Sequence, residues 1–420
     1  MTSKKRVFLF LQGPATPFFS RLAKALNKTG QKVLRIHFNA GDWLYWSAGH
    51  SHCYSGSADG VVKLVDHLHT LHGITDLVLF GDRRPVHRAV VLHSDRLGIR
   101  SHVFEEGYFR PFWITLEREG VNGHSLLPRD PDWFSGVAKF IPEPKPPKRF
   151  RSAFWKRAVH DVCYHAAGIL NPLFFWRYVT HALDAAPIEY AGYIRRFSRN
   201  PILKRRNAPV IKQLLKNKTP FYLLPLQLNA DAQIRDHSRF DNMIQVIEYV
   251  VTSFSLNSKP DALLVIKTHP LDYGWTDYQR VVNRVCRVAG LDSQRVVLLE
   301  SGSLDHLSAA AAGMVTVNST AGIVALQQGC SVMTLSDPIY NLPGLTWQGS
   351  LDEFWGSNQL PDGDLFNDFY RVVMFATHIN GGFYCSQGMD LAVENAARVL
   401  SSDTSPLEFL LSLEGQGENR

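Results

Sequence analysis

The sequence predicts an α/β protein with two doubly wound parallel sheets and a basic helical segment between them. Apolar strand-like runs alternate with helix-like patterns over the first hundred residues, and the same alternation returns from residue 219. The stretch between them is basic and aromatic instead. Strands and helices that alternate over short loops are typical of a parallel sheet covered on both faces. A chain of 420 residues is also long enough for two domains.

The elements of the first half follow from local patterns. Residues 4–6 are basic and precede an apolar run that is too short for a signal-peptide core, so this run predicts a first strand. Later strands are marked by short apolar runs that end in polar or glycine-containing turns. The predicted strands are residues 6–11, 32–38, 76–80 and 101–104, and the predicted helices are residues 17–26, 61–71 and 86–97.

The second half repeats this organisation. Residues 242–254 place apolar side chains at helical spacing, which predicts an amphipathic helix. A shorter helix at 321–328 is followed by Gly329, a residue suited to a helix C-terminus. The predicted strands are residues 221–226, 262–266, 296–299, 314–317 and 332–335.

Together the two halves favour a GT-B-like architecture, in which two Rossmann-like domains face a cleft. We expect that the last helices of the second domain can pack back on the N-terminal domain. The expected boundaries are 1–140 for the N-terminal, acceptor-side domain, 141–215 for a helical insertion, 216–400 for the C-terminal domain and 401–420 for a flexible tail.

The insertion interleaves cations with aromatic side chains and contains few acids. Its prolines at 142, 144, 146 and 147 mark a linker. Basic residues are attracted to anionic bilayers and aromatic residues suit the bilayer interface, so membrane contact is predicted. A solvated helical insertion is the alternative. The residues concerned include Lys148, Arg149, Phe150, Trp155, Lys156, Arg157, Trp176, Arg177, Arg195, Arg196, Arg199 and Arg206.

Composition and cysteine usage exclude several classes of protein. No run approaches the length of a membrane-spanning helix. The five cysteines lie far apart and form no CxxC pair, so neither a disulfide framework nor a zinc cage is expected, and a reducing cytoplasm fits. The net charge of +7 indicates anionic partners without identifying them.

Several polar clusters follow predicted strands, where open parallel sheets bind ligands. Asn318, Ser319 and Thr320 leave one strand and open a helix, an arrangement that suits a phosphate but is also an ordinary helix cap. His269 and Pro270 follow another strand, although a loop histidine is more often structural.

Two further clusters contain carboxylates. Glu105 and Glu106 follow a predicted strand, and one of them could act as a catalytic acid or base. Alternatively, they could lie in a solvated turn and form an ion pair with Arg110. The segment from Gln227 to residue 238 is unusually polar for a short connection, and it contains Asp231.

Common cofactor signatures are weak or absent. Asp130/Asp132 and Asp362/Asp364 match the DxD motif, but both pairs are predicted to lie in turns, where aspartate is common for structural reasons. The chain contains no GxxxxGK[ST], no GxGxxG after the first strand and no GxSxG. We therefore expect no bound metal and no dinucleotide cofactor.

Six stretches of the chain carry a family resemblance: FLQGPATPFFSRLAKAL, FNAGDWLYW, FEEGYFRPFWITLEREGVNGHS, PLQLNADAQIRDHS, KTHPLDYG and VNSTAGIVALQQGCSVMTL. Together they resemble the capsule polysaccharide biosynthesis proteins of the KpsS/LipB type. They occur in the family's order and cover residues 7 to about 400. The resemblance implies a retaining β-Kdo transferase that uses CMP-Kdo to start a β-Kdo linker on a phosphatidylglycerol-type lipid, at the cytoplasmic face of the inner membrane of Gram-negative bacteria.

The resemblance also implies roles for individual residues. Asp231 matches the nucleophile, and either Glu105 or Glu106 matches the acid/base. The CMP-sugar site is expected from Gln227, Lys267, His269, Pro270, Asn318, Ser319 and Thr320. A donor with a single phosphate fits the absence of a convincing DxD. Kdo carries its own carboxylate, for which Lys267, Arg110 and Arg235 are candidates.

Two other classes of function remain as alternatives. A non-catalytic adaptor could retain a GT-B-like fold and couple capsule synthesis to the export machinery, with other capsule proteins as partners. Such an adaptor would be expected to lose the nucleophile, the acid and the phosphate-binding residues, for all of which this chain has candidates. Nucleic-acid binding is not expected, because no RNP, helix-turn-helix or zinc-finger pattern accompanies the basic segment.

Overall fold

The computed structural model describes residues 5–178, 186–216, 219–228, 234, 238–272, 274–357 and 359–417. The chain divides into two compact units. The first comprises Met1–Pro128, Gly136–His181 and Tyr370–Arg420, and the second comprises Arg129–Ser135 and Ala182–Phe369. Each unit has its own largely parallel sheet, which confirms the predicted α/β class.

The first unit contains one sheet whose described strands have the order β12-β6-β5-β4-β1-β2-β3. Pairing is parallel from β3 to β5, whereas β6 and β12 are antiparallel additions at one edge that the sequence patterns did not indicate. Its strands are β1 (Val7–Phe10), β2 (Lys32–His37), β3 (Ser51–Cys53), β4 (Asp76–Phe80), β5 (Arg100–Glu106), β6 (Trp113–Arg118) and β12 (His378–Asn380).

Helices cover both faces of this sheet. They are α1 (Phe18–Lys28), α2 (Ala40–Leu44), α3 (Val61–His72), α4 (Pro85–Arg96), α6 (Phe154–Ala167), α7 (Asn171–Phe174), α15 (Ser386–Ser401) and α16 (Pro406–Gly417). Alternation within β1 explains the two layers, because successive strand side chains point to opposite faces. Phe8 and Phe10 pack in the cluster that includes α1 and α15, whereas Leu9 packs in the cluster that includes α3.

The C-terminal part of the chain belongs to the first unit. Helix α15 buries Met389, Ala392 and Leu400 in the same cluster as α1. Residues 401–420 are predicted to be a flexible tail, but the structure forms α16 over Pro406–Gly417. Leu407 and Leu410 are buried there, so packing orders this helix against the unit.

The second unit contains a five-stranded, all-parallel sheet within its described residues, with the order β11-β10-β7-β8-β9. Its strands are β7 (Phe221–Pro225), β8 (Leu263–Lys267), β9 (Val296–Leu299), β10 (Gly313–Thr316) and β11 (Val332–Thr334). Its helices are α8 (Ala186–Lys216), α9 (Met243–Asn257), α10 (Tyr278–Val288), α11 (Leu304–Ala310), α12 (Ala321–Gln327) and α13 (Leu351–Phe354). The chain passes between the units at four points, two of which lie within α5 (Pro131–Ala138) and α14 (Gly363–Thr377).

The predicted insertion over 141–215 is divided between the two units. Helices α6 and α7 belong to the first and α8 belongs to the second. Tyr164 explains the placement of α6, because its hydroxyl donates to Asp42 over 3.1 Å and accepts from Asn39 over 2.7 Å at the end of β2. None of the helices in the described residues is both long and apolar enough to cross a lipid bilayer.

Candidate functional site

Both sheets contain the same topological switch point. Numbered along the chain within each unit, the five parallel strands have the order 3-2-1-4-5, and the connections diverge between strands 1 and 4. Ligands in open α/β sheets bind outside the carboxyl ends of the strands at this point. In the first unit the point lies between β1 and β4, and in the second unit it lies between β7 and β10.

In the second unit, a pair of buried amides spans the switch point. Gln227 follows β7 and Asn318 follows β10. The Gln227 amide donates to Asn318 Oδ1 over 3.0 Å, and the Asn318 backbone N–H donates to Gln227 Oε1 over 3.4 Å. The structure therefore brings these two predicted site residues together, and their mutual bonds fix the ends of the two strands.

The turn after Asn318 is held by a buried tyrosine. The Tyr340 hydroxyl donates to the Ser319 carbonyl over 2.6 Å, and Ser319 Oγ accepts from the backbone N–H of Ala321 over 3.1 Å. Gly322 is required here, because a side chain would collide with Tyr340. Ser319 and Thr320 thus lead into α12, a helix of seven residues, at the carboxyl edge of the sheet.

The end of β8 places a second predicted cluster at the same edge. Leu226 donates its backbone N–H to the Lys267 carbonyl over 2.8 Å, so the exits of β7 and β8 lie side by side. Burial lowers the pKa of Lys267. His269 Nδ1 accepts from the Leu271 backbone N–H over 3.1 Å. A neutral His269 therefore carries its proton on Nε2, the form that can donate to a phosphate oxygen.

In the first unit, Glu105 is a titratable group at the carboxyl edge. The structure extends β5 to Glu106 because both glutamates pair with β6, so they end the strand instead of following it. Burial raises the pKa of Glu105 to about 7, although the nearby Arg84 opposes this shift. Gly81, at φ +69°, leaves room for the carboxylate, since a Cβ there would lie 3.3 Å from Glu105 Oε2.

Arg84 is a site residue that the sequence patterns missed. Its Nη1 donates to the Gly13 carbonyl over 3.1 Å, which connects the exit of β4 to the exit of β1 across the switch point. Its guanidinium also lies 5.0 Å from the centre of the Phe80 ring. The available signal was its position directly after a predicted strand that ends in Gly81 and Asp82.

Glu106 has a different environment from Glu105, because alternation points it to the other face of the sheet. Its carboxylate lies 3.8 Å from Arg157 Nη1. The Arg157 guanidinium in turn lies 4.5 Å from the centre of the Tyr384 ring. Burial and the Glu106 charge both raise the pKa of the Tyr384 hydroxyl. Glu106 therefore belongs to an ion-pair cluster with α6.

Arg110 and the two DxD pairs lie outside these clusters. Asp231 and Arg235 are outside the described residues. Arg110 is exposed and donates through Nε to the Gly107 carbonyl over 3.0 Å. The two DxD pairs form helix-start turns: Asp130 Oδ1 accepts from the Asp132 backbone N–H over 3.0 Å, and Asp362 Oδ1 accepts from the Asp364 backbone N–H over 2.9 Å.

Comparison with known proteins assigns a family. The model of the family described as "Capsule polysaccharide biosynthesis protein" matches residues 75–384. The chain is 32% identical to the capsule polysaccharide export protein KpsS of Escherichia coli, over 90% of this chain and 96% of that protein. It is 33% identical to the capsule polysaccharide modification protein LipB of Neisseria meningitidis serogroup B, over 90% and 91%. The chain belongs to the family of capsule polysaccharide biosynthesis proteins.

One solved structure resembles this chain at a lower sequence identity than these relatives do. It is KpsC of Thermosulfurimonas dismutans, described as a beta Kdo 2,7 transferase, with 13% identity and a TM-score of 0.44. The match covers 94% of this chain and 100% of that chain. Overlap at this level does not establish a shared activity.

Proposed function

We propose that this protein is a retaining β-Kdo glycosyltransferase that uses CMP-Kdo to start the β-Kdo linker of a capsule on a phosphatidylglycerol-type lipid. The observation that supports it most is the arrangement at the carboxyl edge of the second unit. Gln227, Asn318, Ser319 and His269 follow three adjacent strands there, and they offer neutral donors instead of a carboxylate cluster. Such donors suit a nucleoside monophosphate, whose single phosphate does not require a metal.

The donor is proposed to bind through this edge. Backbone N–H groups and hydroxyls of Ser319 and Thr320 would contact the phosphate, beside the Gln227–Asn318 pair that fixes their position, and His269 Nε2–H would donate to a second oxygen. Pro270 shapes the loop that holds the imidazole. Lys267 is the nearby cation for the Kdo carboxylate. Each of these groups would stabilise CMP as negative charge develops on the departing phosphate.

The proposed chemistry has two displacements. In the first, an Asp231 carboxylate oxygen forms a bond to the anomeric carbon, and the bond from that carbon to the phosphate oxygen breaks with its electron pair on CMP. In the second, the acceptor hydroxyl attacks the same carbon, its proton passes to a carboxylate base, and the bond to Asp231 breaks. Two inversions give net retention.

Glu105 is our proposal for that base, rather than Glu106. A base works best when its pKa is near the working pH, and burial raises the pKa of Glu105 to about 7. The Glu106 carboxylate instead lies 3.8 Å from Arg157 Nη1, so an ion pair on the other face of the sheet engages it. Arg84, beside Glu105, is proposed as a positioning residue that limits the rise in the pKa of Glu105.

The protein is proposed to act as a peripheral protein on the cytoplasmic face of the inner membrane. Helices α6 and α7 and the residues around them expose large apolar side chains next to cations such as Lys156 and Arg177. Apolar and basic groups together suit an anionic bilayer surface. The exposed apolar side chains are Phe154, Trp155, Val159, Val162, Ile169, Leu170, Leu173, Phe174 and Trp176.

One assay tests the proposed reaction. Purified protein is incubated with CMP-Kdo and a fluorescent phosphatidylglycerol, in buffer with EDTA, and products are identified by mass spectrometry. We expect the lipid to gain Kdo, CMP to be released in equal amount, and EDTA to have no effect. Absence of product with and without added Mg²⁺ or Mn²⁺ would favour the adaptor alternative, which the name "export protein" of one relative also suggests.

A further inference from the structure

A second polar pocket lies in the second unit, between α8 and the loop that leaves β8. It has a volume of about 360 Å³. Arginines of α8 form one wall: Arg195, Arg196, Arg199 and Arg206. Thr268, Trp275 and the start of α10 form the other. The pocket adjoins the proposed donor edge, but none of the proposed donor-binding residues lines it.

Internal partners occupy some of the charges in this pocket. Arg196 donates to the Glu300 carbonyl over 2.6 Å, and both Arg196 and Arg206 pair with the Glu300 carboxylate. Asp272 accepts from the Gly274 backbone N–H over 2.7 Å, and burial raises the pKa of its carboxyl group.

The remaining charges favour an anion. Asp277 accepts from the Arg280 backbone N–H over 3.0 Å. Arg195 stacks on Trp275, with its guanidinium carbon 5.4 Å from the ring centre, and Arg199 makes no hydrogen bond or ion pair among the described residues. Two cationic side chains are therefore available to a ligand, while the acidic groups of the pocket already have partners.

A buried threonine, Thr268, also lines this pocket. Thr268 is 5% exposed, and its Oγ1 has no hydrogen-bond partner among the described residues. A buried polar group without a partner costs free energy, so its presence calls for a ligand that supplies the missing bond. A hydroxyl donor together with arginines is a typical set of donors for phosphate oxygens.

Exposed apolar side chains lie on the helix that carries these arginines. Along α8, Ile194, Phe197 and Ile202 have the spacing i, i+3 and i+8, which forms a stripe on the helix surface. Ile194 is 72% exposed, Ile202 is 66% exposed, and Trp275, which lines the pocket, is 50% exposed. Cations in the pocket and exposed apolar side chains on the same helix match the combination of charge and hydrocarbon in a phospholipid.

We propose that this pocket binds the headgroup phosphate of an anionic membrane lipid, with Arg195, Arg199 and Thr268 Oγ1 as donors. The apolar stripe and Trp275 then lie against the acyl region. The inference rests on the membrane association in the proposed function, and it adds a specific lipid site to it. The site is a binding site of the second unit, separate from the groups proposed for catalysis.

Vesicle flotation tests the site with the full-length protein. The vesicles are phosphatidylcholine alone or phosphatidylcholine mixed with phosphatidylglycerol. Thr268→Val removes a hydroxyl and no charge, so general electrostatic attraction predicts no change, whereas the proposed bond predicts about a tenfold loss of affinity for the anionic vesicles. Thr268→Ser keeps the hydroxyl and should retain binding. A melting curve checks that the valine variant is folded.

A matched pair of arginines separates the pocket from the general charge of α8. Arg199 lines the pocket, whereas the exposed Arg205 on the same helix does not. Arg199→Gln and Arg205→Gln remove the same charge, and we expect the first to weaken binding about tenfold more than the second. Equal losses in the two variants, or unchanged binding in Thr268→Val, would overturn the site.

Calorimetry identifies the source of the phosphate. We expect wild-type protein to bind sn-glycerol 3-phosphate, Thr268→Val to bind it about tenfold more weakly, and CMP affinity to stay within about twofold. Weaker CMP binding without a change in vesicle binding would assign the pocket to the donor nucleotide and overturn the lipid proposal. Kdo transfer is measured separately: vesicle selectivity without transfer would refute only the transferase, and transfer without selectivity would refute only the pocket.

Discussion

The two units share one strand order but differ in the chemistry at their switch points. In the first unit, the exits of β1, β4 and β5 hold Arg84 and the titratable Glu105. In the second, the exits of β7 and β10 hold the neutral pair Gln227 and Asn318. The topology alone therefore does not decide what each edge can do.

Under the proposed function, this difference assigns the two edges to different substrates. A carboxyl group whose pKa lies near neutrality can exchange a proton with a hydroxyl, which suits the acceptor side of a transferase. Neutral donors and a helix start suit a phosphate leaving group on the donor side. Variants at the two edges should therefore fail in different ways, and that difference can be measured.

The largest effect is expected from the nucleophile and the base. Asp231→Ala should lower transfer by more than about 10⁴-fold and leave no covalent intermediate, because the first displacement is lost. Glu105→Gln should lower transfer about 10²–10⁴-fold by slowing the second displacement, so one Kdo should accumulate on Asp231. Intact-protein mass spectrometry after addition of CMP-Kdo distinguishes the two outcomes.

Glu106→Gln is the matched control for this comparison, because it makes the same change one residue along the strand. We expect it to transfer Kdo at a rate within about tenfold of wild type, since an exposed or half-exposed ion pair contributes little. An adduct that accumulates in Glu106→Gln instead would exchange the roles of the two glutamates. Near-normal turnover of Asp231→Ala would refute the nucleophile.

Donor binding should respond next most strongly. His269→Ala and Ser319→Ala should each weaken CMP binding by about tenfold, because each removes a bond to a charged phosphate. Glu105→Gln should leave CMP affinity unchanged, since it lies in the other unit. Calorimetry measures all three affinities. If neither donor-side variant changes the affinity, the phosphate site lies elsewhere.

A smaller effect is expected on the pH profile of transfer. A base must be deprotonated, so the rate should rise with pH through an apparent pKa near 7, the value to which burial raises Glu105. Arg84 lowers the pKa of Glu105, so Arg84→Gln should move the midpoint of the profile to higher pH. A purely structural role for Arg84 would lower the rate at every pH without moving the midpoint.

Much of this fold follows from local patterns. The apolar run at Val7–Phe10 and the helical spacing in α9 were sufficient to place a strand and a helix correctly. Strand β6 (Trp113–Arg118) was missed because polar residues interrupt its apolar ones, so no continuous apolar run marks it. Its pairing with β5 and β12 makes it a strand. The return of the last helices to the first unit was expected from the GT-B-like architecture, whereas the contacts of α15 with α1 that hold it there are encoded by no local pattern.

The site was predictable to a different degree in each unit. Polar residues after strands identified the clusters around Asn318 and His269, because a strand exit is a local feature. The choice between Glu105 and Glu106 could not be made from adjacent letters, since it depends on which face of the sheet each side chain occupies. Arg84 was missed because its partner, the Gly13 carbonyl, lies 71 residues away along the chain.

The smallest expected effect concerns stability, and it separates burial of Glu105 from catalysis by it. The folded state holds this proton more tightly than the unfolded state, so the free energy of unfolding should fall as pH rises from about 4.5, the ordinary pKa, to about 7. Glu105→Gln abolishes this titration, and its stability relative to wild type should increase over the same window by on the order of 1–3 kcal/mol. Urea unfolding at pH 5 and pH 8 measures this change in the free energy of unfolding.

Glu106→Gln is the control, and its stability relative to wild type should not change over this pH window, because burial raises the pKa of Glu105. An equal change in both variants would show that the raised pKa belongs to the Glu105–Glu106 pair jointly.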